Sequence, residues 1–394
     1  MGMFQLPRDF SAAGIAAGIK SGGVHDMALL VSGRDAAAAG VFTTNRMYAA
    51  PVRLCRERLQ THAPVRAVLV NSGNANACTG EQGYQDAVTL TGLAAETLGV
   101  PTSSVLMCST GTIGRRLPLP TLSAGIKALA GNLSTEGGSD AARAIMTTDT
   151  RPKTASRSVN LGGTEVLLCG LAKGAGMIEP TMATMLCFLM TDAQATAADL
   201  QAALASAVQK SFNCISVDGD MSTNDTVLLL ANGASGSSAA LVPGSPGWDA
   251  FQEALDAVCL ELALAMVDDG EGATKRVTVQ VTGAATPEDA ERAARAVANS
   301  LLVKTSWAGK RAQWGRVMDA LGYCGVPVGQ DKIDIYYDEW PAALGGLAAE
   351  TPAETLNAVV AARAFTLTIR LGAGEATARV YACDCTEAYV RINV

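Results

Sequence analysis

The sequence predicts a mixed α/β fold with a large sheet, and two recurring patterns support this prediction. Val277, Val279 and Val281 alternate with polar residues, a period of two that is typical of a half-buried strand. Residues 249–267 instead carry apolar side chains three or four positions apart, which is typical of an amphipathic helix. Because strands and helices alternate along the chain, an α/β or α+β architecture is expected.

Further strands are predicted by the same criteria. Residues 365–371 alternate between apolar and polar side chains, like the first strand. Residues 67–70, 185–190 and 226–230 are apolar almost throughout, so we predict that both faces of these strands are buried.

Helices are predicted at residues 86–98 and 193–212, and a third helix has a clear start signal. Thr286 is a capping residue, Pro287 stands in the first turn, and two acidic residues follow near the positive end of the helix dipole. Residues 235–247 are rich in Gly, Ser and Pro and predict a surface loop.

Composition excludes several classes of function. The 394 residues are 49% hydrophobic and 17% charged, which indicates a globular chain with two or three domains. The net charge of −7, with no basic block, argues against a nucleic-acid partner. No apolar run approaches the roughly 18 residues of a membrane span, and the first residues resemble no targeting signal. We therefore expect a cytoplasmic protein with no membrane partner.

Cysteine and histidine usage restricts the chemistry. The ten cysteines are scattered, most of them in apolar runs, which favours reduced thiols in the cytoplasm. The chain has only His25 and His62, so neither a zinc site nor a histidine-dependent nucleophile is indicated. Phosphate-binding and dinucleotide motifs are also missing. We predict no metal and no cofactor.

Thr184 is the candidate nucleophile. A Gly-rich segment that begins at Lys173 leads directly into the predicted strand 185–190, and Thr184 stands at its entrance. Composition alone would make Thr184 an ordinary β-branched strand residue. Five other segments carry distinctive motifs: residues 71–80 (NSGNANACTG), 109–114 (STGTIG), 146–153 (MTTDTRPK), 216–226 (SVDGDMSTNDT) and 269–275 (DGEGATK).

Together these six motifs resemble the ornithine acetyltransferase family, also called glutamate N-acetyltransferase, from about residue 10 to residue 393. The resemblance implies cleavage between Ala183 and Thr184, which gives an α chain of residues 1–183 and a β chain of residues 184–394 that stay intertwined. It also implies a homo-oligomer of αβ units.

The implied reaction moves the acetyl group of N2-acetylornithine to glutamate through an acetyl-threonine, in arginine biosynthesis. Thr184 would be the nucleophile, and its new α-amine would be the base. An α-amine titrates near about 7.7–8.0, so about a tenth is free base at neutral pH, whereas a lysine amine near about 10.4 is almost fully protonated. This logic agrees with the shortage of histidine.

The resemblance also assigns the other site residues. Thr110 and Gly111 correspond to the oxyanion hole. The positions that match the family's substrate-binding residues are Thr147, Lys173, Thr184, Glu271 and Asn393. Lys173 has the charge to bind a carboxylate, and Glu271 has the charge to bind the terminal ammonium of ornithine. Acetyl-CoA is left open as a further acetyl donor.

The implied architecture is a four-layer αββα sandwich that resembles N-terminal nucleophile hydrolases. A catalytic domain of about residues 1–280 would be followed by a smaller C-terminal α/β domain of about residues 281–394. The boundary near residue 280 is an expectation from the resemblance.

Three departures from the family pattern leave the substrate open. The chain stops at Val394, directly after Asn393, so a substrate contact expected from a longer tail is missing or replaced. Arg311-Ala312-Gln313 replaces Asp-Pro-Asn, and Glu179 adds a carboxylate close to the cleavage point. Three alternatives therefore stand beside the main hypothesis: a paralogue that moves acyl groups between other amino acids, an amidase or aminopeptidase, and a non-catalytic binding protein.

Overall fold

The structure, a computed structural model, describes residues 4–179, 185–237 and 241–394, which form a mixed α/β fold with two sheets. The predicted fold class is confirmed. The strands are β1 Phe10–Ile15, β2 Met27–Phe42, β3 Val65–Asn74, β4 Val105–Thr112, β5 Lys153–Leu161, β6 Thr164–Lys173, β7 Leu186–Thr191, β8 Ile215–Ser216, β9 Thr226–Ala231, β10 Arg276–Ala284, β11 Asp334–Tyr337, β12 Trp340–Leu344, β13 Leu347–Ala348, β14 Ala364–Arg370 and β15 Ala376–Cys383. The helices are α1 Ala50–Gln60, α2 Gly80–Leu98, α3 Leu119–Gly131, α4 Gly138–Ala144, α5 Ala197–Lys210, α6 Pro246–Asp268, α7 Pro287–Asn299, α8 Leu301–Ala308, α9 Trp314–Tyr323, α10 Ala353–Ala361 and α11 Glu387–Ile392.

The chain divides into two units. The first unit comprises Met1–Gly174, Thr181–Asn213 and Met221–Ala263. The second unit comprises Ala175–Pro180, Cys214–Asp220 and Leu264–Val394. The longest segment of the second unit thus begins at Leu264, whereas the sequence placed the start of a C-terminal domain near residue 280. The division into segments 1–183 and 184–394 stays a prediction.

The sheet of the first unit has the strand order β4-β3-β2-β9-β7-β6-β5, with β1 paired to β2. β2 is long enough to serve two groups of strands. Residues 27–31 of β2 pair with β1 and β3, and residues 37–42 pair with β9, with a register shift between these two stretches. β7 lies between β9, to which it is parallel, and β6, to which it is antiparallel.

The first sheet consists of two groups of strands, β1 to β4 and β5, β6, β7 and β9, which β2 joins. One buried core lies between the two groups, and helices cover their outer faces. Leu171 of β6 and Phe188 of β7 belong to the same buried cluster as Leu69 of β3. On the opposite face of β6, a Cβ added at Gly170 would lie 2.9 Å from Leu262 of α6. Helices α1 and α2 pack on β4. The two groups of strands that β2 joins thus share one core and carry helices on their outer faces, which agrees with the αββα arrangement expected from the family resemblance.

The sheet of the second unit has the order β13-β12-β11-β14-β10-β15-β8. The three valines of β10 are fully buried and the polar residues between them are half-buried, so the predicted alternation is confirmed. Thr286 caps α7 as predicted, because its side chain accepts a hydrogen bond from the Asp289 N–H. Each fully buried valine contributes about 1.5–3 kcal/mol to stability relative to an exposed one.

Some predicted boundaries were wrong. β3 continues through Asn74, where the sequence suggested that the strand stops at Asn71, because β4 offers pairing partners along the whole stretch. The surface loop predicted at residues 235–247 ends where α6 begins, and Ser237 and Leu241 are buried within it. Ser237 is held inside because its hydroxyl donates to the Leu161 carbonyl. No helix in the described ranges is both long and apolar enough to cross a membrane.

Candidate active site

Lys173 ends β6 and lies inside the first unit, with only 1% of its surface exposed. Its Nζ atom is 3.5 Å from the Thr110 hydroxyl and 4.0 Å from Asp149 Oδ2. The structure therefore brings together two residues that the sequence nominated separately, Thr110 and Lys173. A buried ammonium requires a charge partner, since removing an unpaired charge from water is strongly unfavourable.

Asp149 supplies that charge, although the sequence assigned it no role. Its carboxylate accepts hydrogen bonds from Lys153 Nζ at 2.6 Å, from the Gly174 N–H at 2.7 Å and from the Thr147 N–H at 3.0 Å. The side chains of Asp149 and Lys153 are almost fully buried. Asp149 thus connects the 146–153 motif, which includes the predicted residue Thr147, to the start of the Gly-rich segment.

The electrostatics of this cluster favour an ionised Asp149. Burial alone would raise the pKa of its carboxyl, but Lys173, Lys153 and the Gly174 N–H stabilise the charged form. The net effect lowers the pKa of Asp149 to about 2. The carboxylate therefore keeps its charge throughout the pH range in which enzymes work.

Thr110 and Gly111 lie near the end of β4, where the strand leaves the core. Thr110 is buried and Gly111 is exposed. Gly111 has φ +129°, and a Cβ added there would lie 2.6 Å from the Asn74 nitrogen on the neighbouring strand. Only glycine fits this position, because both the backbone conformation and the close approach exclude a side chain.

A buried network of polar side chains fixes the ends of β3 and β4. The Ser109 hydroxyl donates to Asn71 Oδ1 at 2.6 Å. The Asn224 amide donates to the carbonyls of Ser109 and Ala75, both at 2.7 Å. Satisfied buried networks of this kind hold their members rigidly. The 71–80 and 109–114 motifs and Asn224 of the 216–226 motif therefore contribute to one arrangement within the first unit.

Lys20 is a further cation near this arrangement that the sequence did not single out. Its side chain covers Gly73, and its Nζ donates to the Met146 carbonyl at 3.0 Å. Four consecutive backbone N–H groups, at residues 17–20, donate to the Asp26 carboxylate and fix this loop. Burial lowers the pKa of Lys20, and the nearby charge of Lys173 adds to that effect.

Ala183 and Thr184, the predicted cleavage residues, lie outside the described residues. The next residue, Met185, is buried, and its N–H donates to Asp225 Oδ1 at 3.1 Å. Burial raises the pKa of Asp225 well above its ordinary value, although the hydrogen bond from the Met185 N–H and the charge of Lys173 oppose this effect. The other oxygen of Asp225, Oδ2, has no hydrogen-bond partner among the described atoms.

The second unit contains the predicted residues Glu271 and Asn393. Asn393 Nδ2 donates to Glu271 Oε2 at 2.6 Å, and the Glu271 N–H donates to the Ala175 carbonyl at 2.8 Å. Glu271 is 8% exposed. A Cβ added at Gly176 would lie 2.6 Å from Glu271 Oε1, so the glycine lets the backbone approach the carboxylate. The structure thus pairs Glu271 with Asn393.

Two more carboxylates of the second unit hold the Gly-rich segment. Asp218 accepts hydrogen bonds from the N–H groups of Met177 and Ile178, at 2.6 and 2.8 Å. Glu179, noted in the sequence as an extra carboxylate, is half-buried beside Arg295, at 3.9 Å. Burial raises the pKa of Glu179, and the charge of Arg295 opposes that change. These contacts give both acids a role in fixing residues 177–179.

No group of three or more histidine, cysteine or acidic side chains that could hold a metal ion is found in residues 4–179, 185–237 and 241–394. The ten cysteines are free thiols, and six of them are buried. The chemistry available in the described part of the site is therefore that of ammonium, carboxylate, hydroxyl and backbone N–H groups.

The model of the ArgJ family matches residues 11–394. The chain belongs to the ArgJ family. A relative from Symbiobacterium thermophilum named "Arginine biosynthesis bifunctional protein ArgJ" is 49% identical, over 98% of this chain and 96% of its own length. A relative of the same name from Geobacter sulfurreducens is 46% identical, over 98% of both chains.

Among solved structures, the ornithine acetyltransferase of Mycobacterium tuberculosis complexed with ornithine is 39% identical to this ArgJ-family chain. The match covers 46% of this chain and 96% of that chain, with a TM-score of 0.40. The family predicted from the six motifs is confirmed by the family model and the relatives, and with it the prediction of an enzyme of arginine biosynthesis.

Proposed function

We propose that this ArgJ-family chain transfers the acetyl group of N2-acetylornithine to glutamate and regenerates ornithine for arginine biosynthesis. Both curated relatives described above carry the name of an arginine biosynthesis protein. The six motifs that identify the family also include every residue to which we assign a role, apart from Asn393.

One contact carries the proposal, the one between Lys173 and Thr110. Because the Lys173 ammonium can only donate, the Thr110 oxygen accepts in this contact, and the hydrogen of its hydroxyl is available to another acceptor. Gly111 adds a backbone N–H on an exposed stretch of the same strand. A hydroxyl and an adjacent N–H of this kind can donate hydrogen bonds to the negatively charged oxygen of a tetrahedral acyl intermediate. Removal of one such donor typically lowers kcat by about 10²–10³-fold.

The nucleophile in this proposal is Thr184, released by cleavage of the Ala183–Thr184 bond. The α-amine of Thr184 takes the hydroxyl proton while the oxygen attacks the acetyl carbonyl. The carbon–nitrogen bond of N2-acetylornithine then breaks, and the amine of ornithine receives that proton as it leaves. The acetyl-threonine ester is attacked by the amine of glutamate in the same way, which restores Thr184.

Substrate binding is assigned to side chains of suitable charge. Lys173 and Thr147 serve the carboxylate of the substrate, and Glu271, which is held by Asn393, serves the terminal ammonium of ornithine. The buried Asp149 keeps Lys173 charged and is not itself a ligand. No metal and no resident cofactor takes part in these steps.

We further propose that acetyl-CoA is a second acetyl donor, because the relatives are named bifunctional. The cut segments 1–183 and 184–394 would remain together, since β6 and β7 are neighbours in one sheet. An assembly of several αβ units in the cytoplasm completes this proposal.

The decisive experiment measures the denatured intact mass of the purified protein before and after brief exposure to N2-acetylornithine. We expect two fragments that separate at Ala183/Thr184, with one acetyl group on the second fragment. Thr184→Ala should stay one unmodified chain. Thr147→Ala, at another residue of the site, should still be cut.

A parallel assay distinguishes transfer from hydrolysis. Ornithine release should accelerate on addition of glutamate, with N-acetylglutamate formed in equal amount. Release at the same rate without glutamate would assign the chain to the hydrolases. Two fragments that never become acetylated would instead indicate a paralogue with another acyl donor.

A further inference from the structure

A cavity of about 590 Å³ in the second unit belongs to no part of the proposed reaction. It lies where β10 and β14, which are parallel, begin side by side. Its lining includes four cationic side chains and one carboxylate, Asp268. The four cations are Lys275, Arg276, Lys310 and Arg363. This volume is within the range of about 300–1,000 Å³ that is usual for small-molecule sites.

Lys275 is the strongest reason to regard the cavity as a built site. It is 5% exposed, yet among the described residues its ammonium has one hydrogen-bond partner, the Ala361 carbonyl at 3.5 Å. The nearby Asp384 carboxylate accepts hydrogen bonds from Thr274 and from the Lys275 backbone N–H, and Lys275 forms no salt bridge with any described residue. A buried ammonium with only one long contact requires an anion.

The other cations reinforce this charge. Arg276 is neutralised by Asp268, with 2.7 Å between the guanidinium and the carboxylate. Lys310 and Arg363 are exposed and form no salt bridge within the described ranges. The cavity therefore has three cations, Lys275, Lys310 and Arg363, that form no salt bridge in the described part of the chain, although the net charge of the whole chain is −7.

Lys310 is held in place by the backbone. It adopts φ +56°, its N–H donates to the Trp307 carbonyl, and the Arg311 N–H donates to the Ser306 carbonyl. Trp307 is fully buried, which anchors this turn at the end of α8. The turn is also where the sequence departs from the family pattern, with Arg311 in place of an acid.

We propose that this cavity binds a small anion that carries phosphate groups. Three cations that form no salt bridge among the described residues match the several charges of a diphosphate better than the single charge of a carboxylate, and lysine and arginine are the usual partners of phosphate oxygens. The source is either inorganic or a nucleotide, and the two can be separated experimentally. The inference does not depend on acetyl transfer, because its readout is binding.

The test is isothermal titration of the full-length protein with inorganic pyrophosphate, and separately with coenzyme A. We expect saturable binding of pyrophosphate that weakens at least about tenfold in Lys310→Glu, equivalent to about 1.4 kcal/mol. Arg311→Glu is the matched control, since it makes the same charge change one residue away but does not line the cavity. It should weaken binding less than about twofold.

Further comparisons keep the proposal falsifiable. Arg363→Gln, at a second exposed residue that lines the cavity, should also weaken the binding of pyrophosphate. This variant replaces Lys310→Glu in the test if Lys310→Glu fails to fold. Lys310-dependent binding of coenzyme A as well as pyrophosphate would identify a nucleotide source. Binding of pyrophosphate alone would identify an inorganic source. Equal losses in Lys310→Glu and Arg311→Glu, equal binding of citrate, or no saturation at concentrations on the order of 10 mM would overturn the proposal.

Discussion

Lys173 and Asp149 face each other inside the first unit, with 4.0 Å between Nζ and Oδ2 and both side chains at most 2% exposed. Lys153 Nζ contacts the other oxygen of the same carboxylate, Asp149 Oδ1, at 2.6 Å. One buried anion therefore serves two buried cations. Because two ammonium groups contact a single carboxylate, the stability of the cluster depends on Asp149.

Asp149→Asn should destabilise the protein strongly, because it removes the carboxylate that both buried ammonium groups, of Lys153 and Lys173, contact. Removal of one partner from a buried charge pair typically costs about 3–5 kcal/mol. The measurement is the free energy of unfolding in urea at pH 7. Asp140→Asn is the control, because Asp140 pairs with Arg143 at the surface. It should cost less than about 1 kcal/mol. Equal effects of both substitutions would contradict the assigned role.

Stability should fall in acid because of the same carboxylate. Its pKa is about 2 in the folded protein and about 3.9 in an unfolded chain, a difference worth about 2–3 kcal/mol. Since the folded pKa is the lower one, this stability is fully present above pH 4–5 and is lost as the pH falls towards about 2. Urea unfolding at a series of pH values should show a shallower acid slope in Asp149→Asn than in the wild type.

Gly111→Ala should disrupt the pairing of β3 and β4 near Gly73 and Gly111. The added Cβ would lie 2.6 Å from the Asn74 nitrogen and 2.7 Å from Gly73 Cα, both backbone atoms that cannot rotate away. Gly114→Ala is a matched control, because Gly114 also has positive φ but open space around it. We expect Gly114→Ala to cost about 1–2 kcal/mol and Gly111→Ala to cost clearly more, measured by thermal unfolding. A smaller loss in Gly111→Ala would show that the strands separate easily.

Asp225 should make the stability of the protein fall as the pH rises. Burial raises its pKa, so folding at pH 8 requires either protonation or a buried charge, and both reduce stability. Asn keeps the oxygen that accepts from the Met185 N–H and does not ionise, so the stability of Asp225→Asn relative to the wild type should increase from pH 5 to pH 8, because the wild type loses stability as the pH rises above about 3.9, the pKa of an unfolded Asp. Asp225→Ala loses the acceptor and should be less stable at both values. Melting temperatures at the two pH values test this prediction.

Glu271→Gln should separate the two substrates kinetically. If Glu271 binds the terminal ammonium of ornithine, the KM for N2-acetylornithine should rise about tenfold to a hundredfold, because hydrogen bonds to charged groups are worth about 1.5–3 kcal/mol. The KM for glutamate, which lacks that ammonium, should change much less. Glu387→Gln, at an exposed residue paired with Arg391, is the control. A similar rise in both KM values would point to a structural role.

The sequence predicted those elements whose pattern is local. The alternating valines of β10, the apolar residues of β7 and β9 and the cap at Thr286 depend on neighbours two to four positions away, and the structure confirms them. The extent of β3 was underestimated because it depends on pairing with β4, a partner distant in the sequence. Ser237 and Leu241 were misjudged for the same reason, since a loop rich in glycine and serine does not reveal what packs on it.

For the candidate active site, the motifs indicated which side chains could take part in the chemistry, but not how buried these side chains are or which charges they contact. Lys173 was chosen for its charge, and considered by itself it would have been taken for a solvated lysine. Its burial becomes apparent only with Asp149, which stands in a different motif. Lys20 could not be found from sequence, because its relation to Gly73 and Met146 is purely tertiary. The signal that could have suggested Asp149 is its position within a matched motif.

β7 lies between β6 and β9 in one sheet, and the proposed cleavage between Ala183 and Thr184 would separate β7 from β6 in the chain. If the chain is cut at residue 183, β6 and β7 end in different polypeptides, so the sheet must form before the bond breaks. The mature enzyme would then keep a structure that its separate pieces have no efficient route to rebuild. Once denatured, it should not recover on mixing, and its lifetime would be set by the rate of unfolding and not by an equilibrium.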